Sequence, residues 1–147
     1  MGKINIEGLI LSPLKIIDHP KGNIFHGMKK SDNGFSDFGE AYFSTVNNDQ
    51  IKGWNKHKKM TLNLIVPIGQ VKFVIYNRNN KTDSSFYEVS LSKEKYYRLT
   101  VPPGLWMAFE GKREGINLIL NIASMEHDPN EVERMDLDKI PYNFDSD

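Results

Sequence analysis

The chain has 147 residues, enough to bury a real core and few enough to be read as one domain, 1–147. Nineteen Lys and Arg balance nineteen Asp and Glu, and a net charge of zero argues against nucleic-acid binding, which needs a basic surface field. There is no cysteine, hence no disulfide framework and no thiol nucleophile.

In chain order, the first apolar run, Gly8–Leu11, is too short for a signal peptide. No later stretch approaches membrane-spanning length, so a cytoplasmic protein with no membrane partner is expected. Lys15–Ile17 and Gly39–Val46 read as strands. Lys52–Lys59 is the densest polar segment. Met60–Val66 and Gln70–Tyr76 alternate on either side of Pro67-Ile68-Gly69 and read as a hairpin. Tyr76–Ser85 is a polar loop. Phe86–Leu91, Tyr96–Val101, Leu105–Phe109 and Ile116–Ala123 continue the series of short strands. Glu131–Leu137, after Asp128-Pro129, is the one candidate for a helical turn or two, and Pro141–Asp147 is an extended tail. Many short strands separated by turn signals predict an all-β sandwich, jelly roll or barrel.

The middle of the chain resembles the double-stranded β-helix (jelly-roll cupin) frame. A metal-binding cupin spaces H-x-H, then E, then G, then P-x-G-x-x-H. The same spacing here falls on Asn55, His57, Leu62, Gly69 and Pro102-Pro103-Gly104-Leu105-Trp106-Met107. Of the four ligand positions, Asn55, His57, Leu62 and Met107, only His57 binds a divalent metal well. A stable site needs three or four convergent N, O or S⁻ ligands, so neither metal nor cofactor is expected.

Residue chemistry nominates a site with alternatives left open. Asn55 and His57 share one face if they share a strand, and an inward His57 is a general base or acid near neutral pH. It reads equally as a satisfied histidine on a lysine-rich edge. Lys52, Lys58 and Lys59 are candidate phosphate ligands. Trp106 and Met107 either line the pocket or belong to ordinary core. Asn63, Asn117 and Asn121 interrupt apolar strands, and a buried amide needs partners, so they mark a polar pocket or a solvent face. Glu40 is a site carboxylate or a surface charge. Glu126-His127-Asp128 is not a metal cluster, because neighbours on a strand point to opposite faces.

Asp18…Lys21-Gly22, Phe43-Ser44-Thr45, Lys52-Gly53-Trp54-Asn55, Gly69-Gln70-Val71, Val89–Ser92, Leu99–Gly104 and Asp128–Glu131 run in the order of the dTDP-4-dehydrorhamnose 3,5-epimerase family, which the chain resembles from Ile16 to Phe144. The resemblance implies a jelly-roll cupin, a homodimer exchanging an N-terminal strand, and work on a nucleotide-linked 4-keto-6-deoxy sugar in surface-polysaccharide biosynthesis. The family's proton-abstracting histidine falls at Asn55, its enolate-steadying lysine at Leu62, its turn histidine at Met107 and its diphosphate-contacting arginine at Lys21. The acid tyrosine falls near Glu126 or His127. The expectation is an epimerase- or isomerase-like enzyme with a rebuilt, metal-independent set. His57 is its base, and Glu40, Tyr42 or Glu126 its partner. Lys21, Lys52, Asn55, Lys59, Trp106, Met107 and Asn121 are its substrate contacts. The alternative is a sugar-nucleotide-binding protein without chemistry.

Overall fold

Apolar residues at every second position mark the longer strands, which assemble into two facing antiparallel sheets. The computed structural model describes residues 4–78 and 86–144. One sheet holds, in spatial order, β1 (Ile10–Pro13), β9 (Tyr97–Val101), β6 (Leu62–Ile68), β11 (Leu118–Ala123) and β4 (Glu40–Thr45). The other holds β12 (Val132–Arg134), β5 (Ile51–His57), β10 (Trp106–Gly111), β7 (Gln70–Tyr76) and β8 (Phe86–Ser92). A small hairpin, β2 (Ile16–Ile17) with β3 (Ile24–Phe25), lies outside both. The architecture is the all-β jelly roll that the strand pattern predicts.

Strand alternation sorts the side chains. On β7, Val71, Phe73 and Ile75 enter the core between the sheets. Val74 joins a second apolar cluster on the outer face with Trp54, Trp106, Ala108 and Ile140. The chain after β12 covers that cluster with Leu137, Tyr142 and Phe144. On the outer face of the first sheet, buried Arg98 donates to the carbonyls of Gly27 (2.8 Å) and Asn33 (3.0 Å). Asn63 donates to the Gly34 carbonyl at 3.2 Å. These bonds tie the segment before β4 over β6 and β9, and leave the outer face of β11 and β4 uncovered.

Two expectations are corrected. Met60–Val66 and Gln70–Tyr76 are strands but not a hairpin: β6 pairs with β9 and β11, and β7 with β8 and β10. The turn at Gly69 carries the chain from one sheet to the other. Gly69 has φ +82, and a Cβ there would lie 2.4 Å from the Ile116 carbonyl oxygen, so only glycine fits the crossing. Glu131–Leu137 is mostly not helical. A 3₁₀ turn at Pro129–Glu131 gives way to β12, and a second turn follows at Leu137–Lys139. The edge of β5 needs a partner, and β-branched Val132 starts the strand that supplies it. The Gly8–Leu11 run feeds β1, which pairs with β9 of the same chain, while Ile6 and Leu9 are buried in that chain's own core. Most of the expected loop Tyr76–Ser85 and the end of the tail Pro141–Asp147 lie outside the described residues. Among the described residues, no helix is long and apolar enough to cross a membrane.

Candidate active site

A cavity of about 130 Å3 opens between the sheets. Tyr42 and Ser44 of β4 and Asn121 of β11 line one wall, and Asn55 and His57 of β5 the other. Leu62, Leu64, Phe73, Met107, Phe109 and Ile119 form its apolar floor. Asn55 and His57 share a face because they are two apart on one strand.

His57 is anchored from behind. Its Nδ1 is in a short hydrogen bond with Glu131 Oε1, at the end of the turn that precedes β12. Glu131 is buried, 4 % exposed, and its other oxygen accepts three consecutive backbone N–H groups, those of Lys58 (3.1 Å), Lys59 (3.0 Å) and Met60 (3.2 Å). Gly104 N–H donates to the His57 carbonyl at 2.8 Å and fixes the backbone of the histidine itself. Burial pushes the Glu131 carboxyl upward, but the hydrogen bonds from His57 and from the Lys59 and Met60 amides outweigh it and hold the group below its ordinary value. An ionised carboxylate only accepts hydrogen bonds, so His57 Nδ1 is the donor in this pair and Nε2 is the ring nitrogen left for the cavity.

The facing wall is ordered by an amide. Asn121 Oδ1 accepts the Asn63 backbone N–H at 3.1 Å, which fixes the amide orientation, and Nδ2 then donates to the Tyr42 hydroxyl oxygen at 3.0 Å. With its oxygen already accepting, Tyr42 has its own proton to offer the cavity. Asn55 has no side-chain hydrogen bond among the described residues, which leaves its amide to a ligand.

Of the residues nominated by sequence, the cavity thus brings together His57, Tyr42, Asn55, Met107 and Asn121. Others stand apart. Glu40 begins β4 opposite Ala123 and does not line the cavity. Trp106, next to Met107 on the strand, points to the opposite face and packs against the outer cluster beneath the Lys56 ammonium. Lys21 is exposed in the turn between β2 and β3. Lys52 is exposed and donates through Nζ to the Thr45 carbonyl at 2.7 Å. Lys59 is exposed and meets Glu131 only through its backbone. Among the described residues, no three His, Cys, Asp or Glu side chains converge as metal ligands would.

Sequence reasoning missed Glu131 as the partner of His57. Asp128-Pro129-Asn130-Glu131 has the pattern of a helix start, an Asx cap with a carboxylate three residues on, which assigns the carboxylate to its own turn. Asp128 does cap the turn, accepting Asn130 N–H at 2.9 Å. Glu131 turns instead to the chain leaving β5.

No protein-family model matches the chain, and no curated protein matches it. Solved structures do. A dTDP sugar isomerase from Desulfovibrio desulfuricans is 31 % identical, with 97 % of this chain and 94 % of that one covered and a TM-score of 0.88. A variant of a 3,4-ketoisomerase from Thermoanaerobacterium thermosaccharolyticum, solved with TDP-4-keto-6-deoxyglucose, is 25 % identical over 88 % of this chain and 89 % of that one, with a TM-score of 0.74. A dTDP-4-dehydrorhamnose 3,5-epimerase from Sulfolobus tokodaii is 17 % identical over 95 % and 84 %, with a TM-score of 0.80, a likeness of fold. Identity at that level over nearly the whole of both chains, on a shared jelly roll, means that the protein belongs to the dTDP-sugar isomerase and epimerase family of cupins.

Proposed function

We propose that the protein is an isomerase that moves a proton between neighbouring carbons of a nucleoside-diphosphate-linked 4-keto-6-deoxy sugar. The observation that carries the reading is His57, inside the cavity, backed by a buried carboxylate that three backbone amides hold in place. Similarity to a dTDP sugar isomerase at 31 % identity and to a 3,4-ketoisomerase at 25 % identity supports the reaction class.

A hydrogen on the carbon beside a ketone is acidic because the carbanion electrons pass into the carbonyl. His57 Nε2 takes that proton, and the imidazolium that forms is stabilised by Glu131. The enolate oxygen receives hydrogen bonds from the Tyr42 hydroxyl and the Asn55 amide, in a cavity whose apolar floor strengthens them. For the ketone to move, Tyr42 protonates that oxygen, and the Tyr42 phenolate so formed takes the proton of the adjacent hydroxyl. His57 returns the proton it holds to the former carbonyl carbon. Asn55, Leu62 and Met107 stand where a cupin metal would take its ligands, and they cannot hold one, so the proton transfer is assigned to side chains.

The test is proton NMR of the product made from dTDP-4-keto-6-deoxyglucose. A relocated ketone is expected, and Tyr42→Phe should lower its formation by about 10²-fold with little change in nucleotide binding. Nucleotide sugar bound but unchanged would replace the enzyme with a binding protein. An unaffected Tyr42→Phe would remove Tyr42 as the acid.

We also propose a homodimer. The uncovered face of β4 and β11 presents Phe43, 64 % exposed, beside the half-buried Leu118, Leu120 and Ile122. An apolar edge sheet of this kind is stabilised by a second copy. Light scattering should give twice the chain mass, and Phe43→Lys should give the monomer. A wild-type monomer at micromolar concentration would contradict the dimer.

A further inference from the structure

The two walls of the cavity differ in how they meet a change of charge. His57 becomes positive when it takes a proton, and it has the Glu131 carboxylate behind it. Tyr42 becomes negative when it gives one up, and among the described residues no lysine or arginine lines the cavity to face it. Tyr42 stands at the rim, 41 % exposed, and among the described residues its hydroxyl is met by Asn121 Nδ2 alone, at 3.0 Å.

Asn121 itself is built in. β11 and β6 pair at Leu118–Ile68, Leu120–Ile65 and Asn121–Leu64, and past that point side chains serve the backbone of the chain entering β6. Asn121 Oδ1 accepts the Asn63 N–H at 3.1 Å, and Ser124 Oγ accepts the Thr61 N–H at 2.8 Å. A flipped Asn121 amide would set its NH2 against the Asn63 N–H, donor on donor, so the NH2 is committed to the Tyr42 side. Asn63 is held in turn from the outer face of the sheet. Its Oδ1 accepts the Thr100 hydroxyl at 2.6 Å, and its Nδ2 donates to the Gly34 carbonyl at 3.2 Å. Gly34 has φ +96, and a Cβ there would lie 2.4 Å from Thr100 Oγ1, so a glycine lets the covering segment come that close. Asn63, Thr100 and Asn121 are all buried, and the chain of bonds runs through the sheet to end on the Tyr42 hydroxyl.

We infer that Asn121 is the positioning residue that decides whether the enolate goes on to a relocated ketone or falls back to the starting sugar. The inference rests on the reaction proposed above. Both outcomes begin when His57 removes the proton beside the ketone. To fall back, the enolate takes a proton from His57 at the same carbon. To go on, the Tyr42 O–H bond breaks as the enolate oxygen takes its proton, and the phenolate oxygen then takes the proton of the neighbouring hydroxyl. A hydrogen bond to an ionised oxygen is about twice as strong as one to a neutral oxygen, so the Asn121 N–H stabilises Tyr42 most while it is a phenolate. It also directs the Tyr42 proton into the cavity, because the hydroxyl oxygen already accepts on the wall side.

Proton NMR of dTDP-4-keto-6-deoxyglucose in D2O reads two rates at once, deuterium entry beside the ketone and appearance of the relocated ketone. Asn121→Ala should lower the ratio of relocation to exchange by about tenfold or more, while exchange itself changes by about threefold or less. Asn121→Asp keeps the volume and the acceptor for the Asn63 N–H but sets an acceptor against Tyr42, and should lower the ratio at least as far. It carries the test where Asn121→Ala fails to fold. In the Tyr42→Phe background Asn121→Ala should change the ratio no further, because its effect passes through the hydroxyl it holds. A role in folding alone would scale both rates together and leave the ratio at its wild-type value. An unchanged ratio in both Asn121 variants, beside a lowered one in Tyr42→Phe, would overturn the inference and keep the isomerase. An effect of Asn121→Ala as large in Tyr42→Phe as in wild type would overturn it too. A wild-type protein that exchanges without relocating the ketone, or does neither, would remove the isomerase and this role of Asn121 with it.

Discussion

His57→Asn is expected to slow deuterium exchange into the carbon beside the ketone by about 10²–10⁴-fold, the usual contribution of a general base. Asparagine is close in size and its amide can still donate to Glu131, so the carboxylate keeps a partner and the cavity its shape. What it lacks is a basic nitrogen at the Nε2 position. Nucleotide affinity should therefore change little while exchange collapses. Asn55→Ala should cost less, about tenfold or below, since an amide only orients or donates. Asn55→His in the His57→Asn background should not restore the rate. Position 55 lies opposite Arg134, not Glu131, so a histidine there would face a guanidinium and have no carboxylate behind it. Exchange that survives His57→Asn unchanged would remove His57 as the base.

Glu131→Gln should damage both activity and stability. The carboxylate accepts on both oxygens at once, the imidazole on Oε1 and three backbone N–H groups on Oε2. An amide has one acceptor end. If its NH2 faces His57, it donates to Nδ1, and the ring proton moves to Nε2, where a base is needed. If its NH2 faces the backbone, donor meets donors. Exchange should fall by about 10²-fold or more, and unfolding free energy at neutral pH by about 1–3 kcal/mol, the cost of buried groups left unsatisfied. The stability effect has a pH signature. The folded-state carboxyl sits below its ordinary value of 4.5, so its stabilisation is fully present above that value and is lost as pH falls through the folded value. The gap between wild type and Glu131→Gln in urea unfolding should therefore be widest at neutral pH and shrink below about pH 4. A gap that stays constant from neutral to acid would contradict a clamped, ionised Glu131.

Strand positions were legible in the sequence because burial on one face imposes a period of two, as Val71, Phe73 and Ile75 do on β7. Strand partners were not. The residues around Gly69 look the same whether the chain folds back or crosses to a second sheet, and only the close approach to Ile116 decides it. The spacing of Asn55, His57 and Met107 was enough to put them on one cavity, since each lies at an inward position of a strand. Trp106 could not join them, because it neighbours Met107 on the same strand. Glu131 was hidden for another reason. It lies more than seventy residues from the strand it meets, and its contact with His57 depends on the turn before β12 reaching β5, which no local pattern announces.

The most direct test of the central claim is proton NMR of a nucleotide-linked 4-keto-6-deoxy sugar in D2O with catalytic amounts of the wild-type protein. The signal of the hydrogen beside the ketone should disappear as deuterium enters, far faster than without protein and far faster than with His57→Asn. A nucleotide sugar that binds, by calorimetry on the same sample, and yet keeps that hydrogen would contradict it.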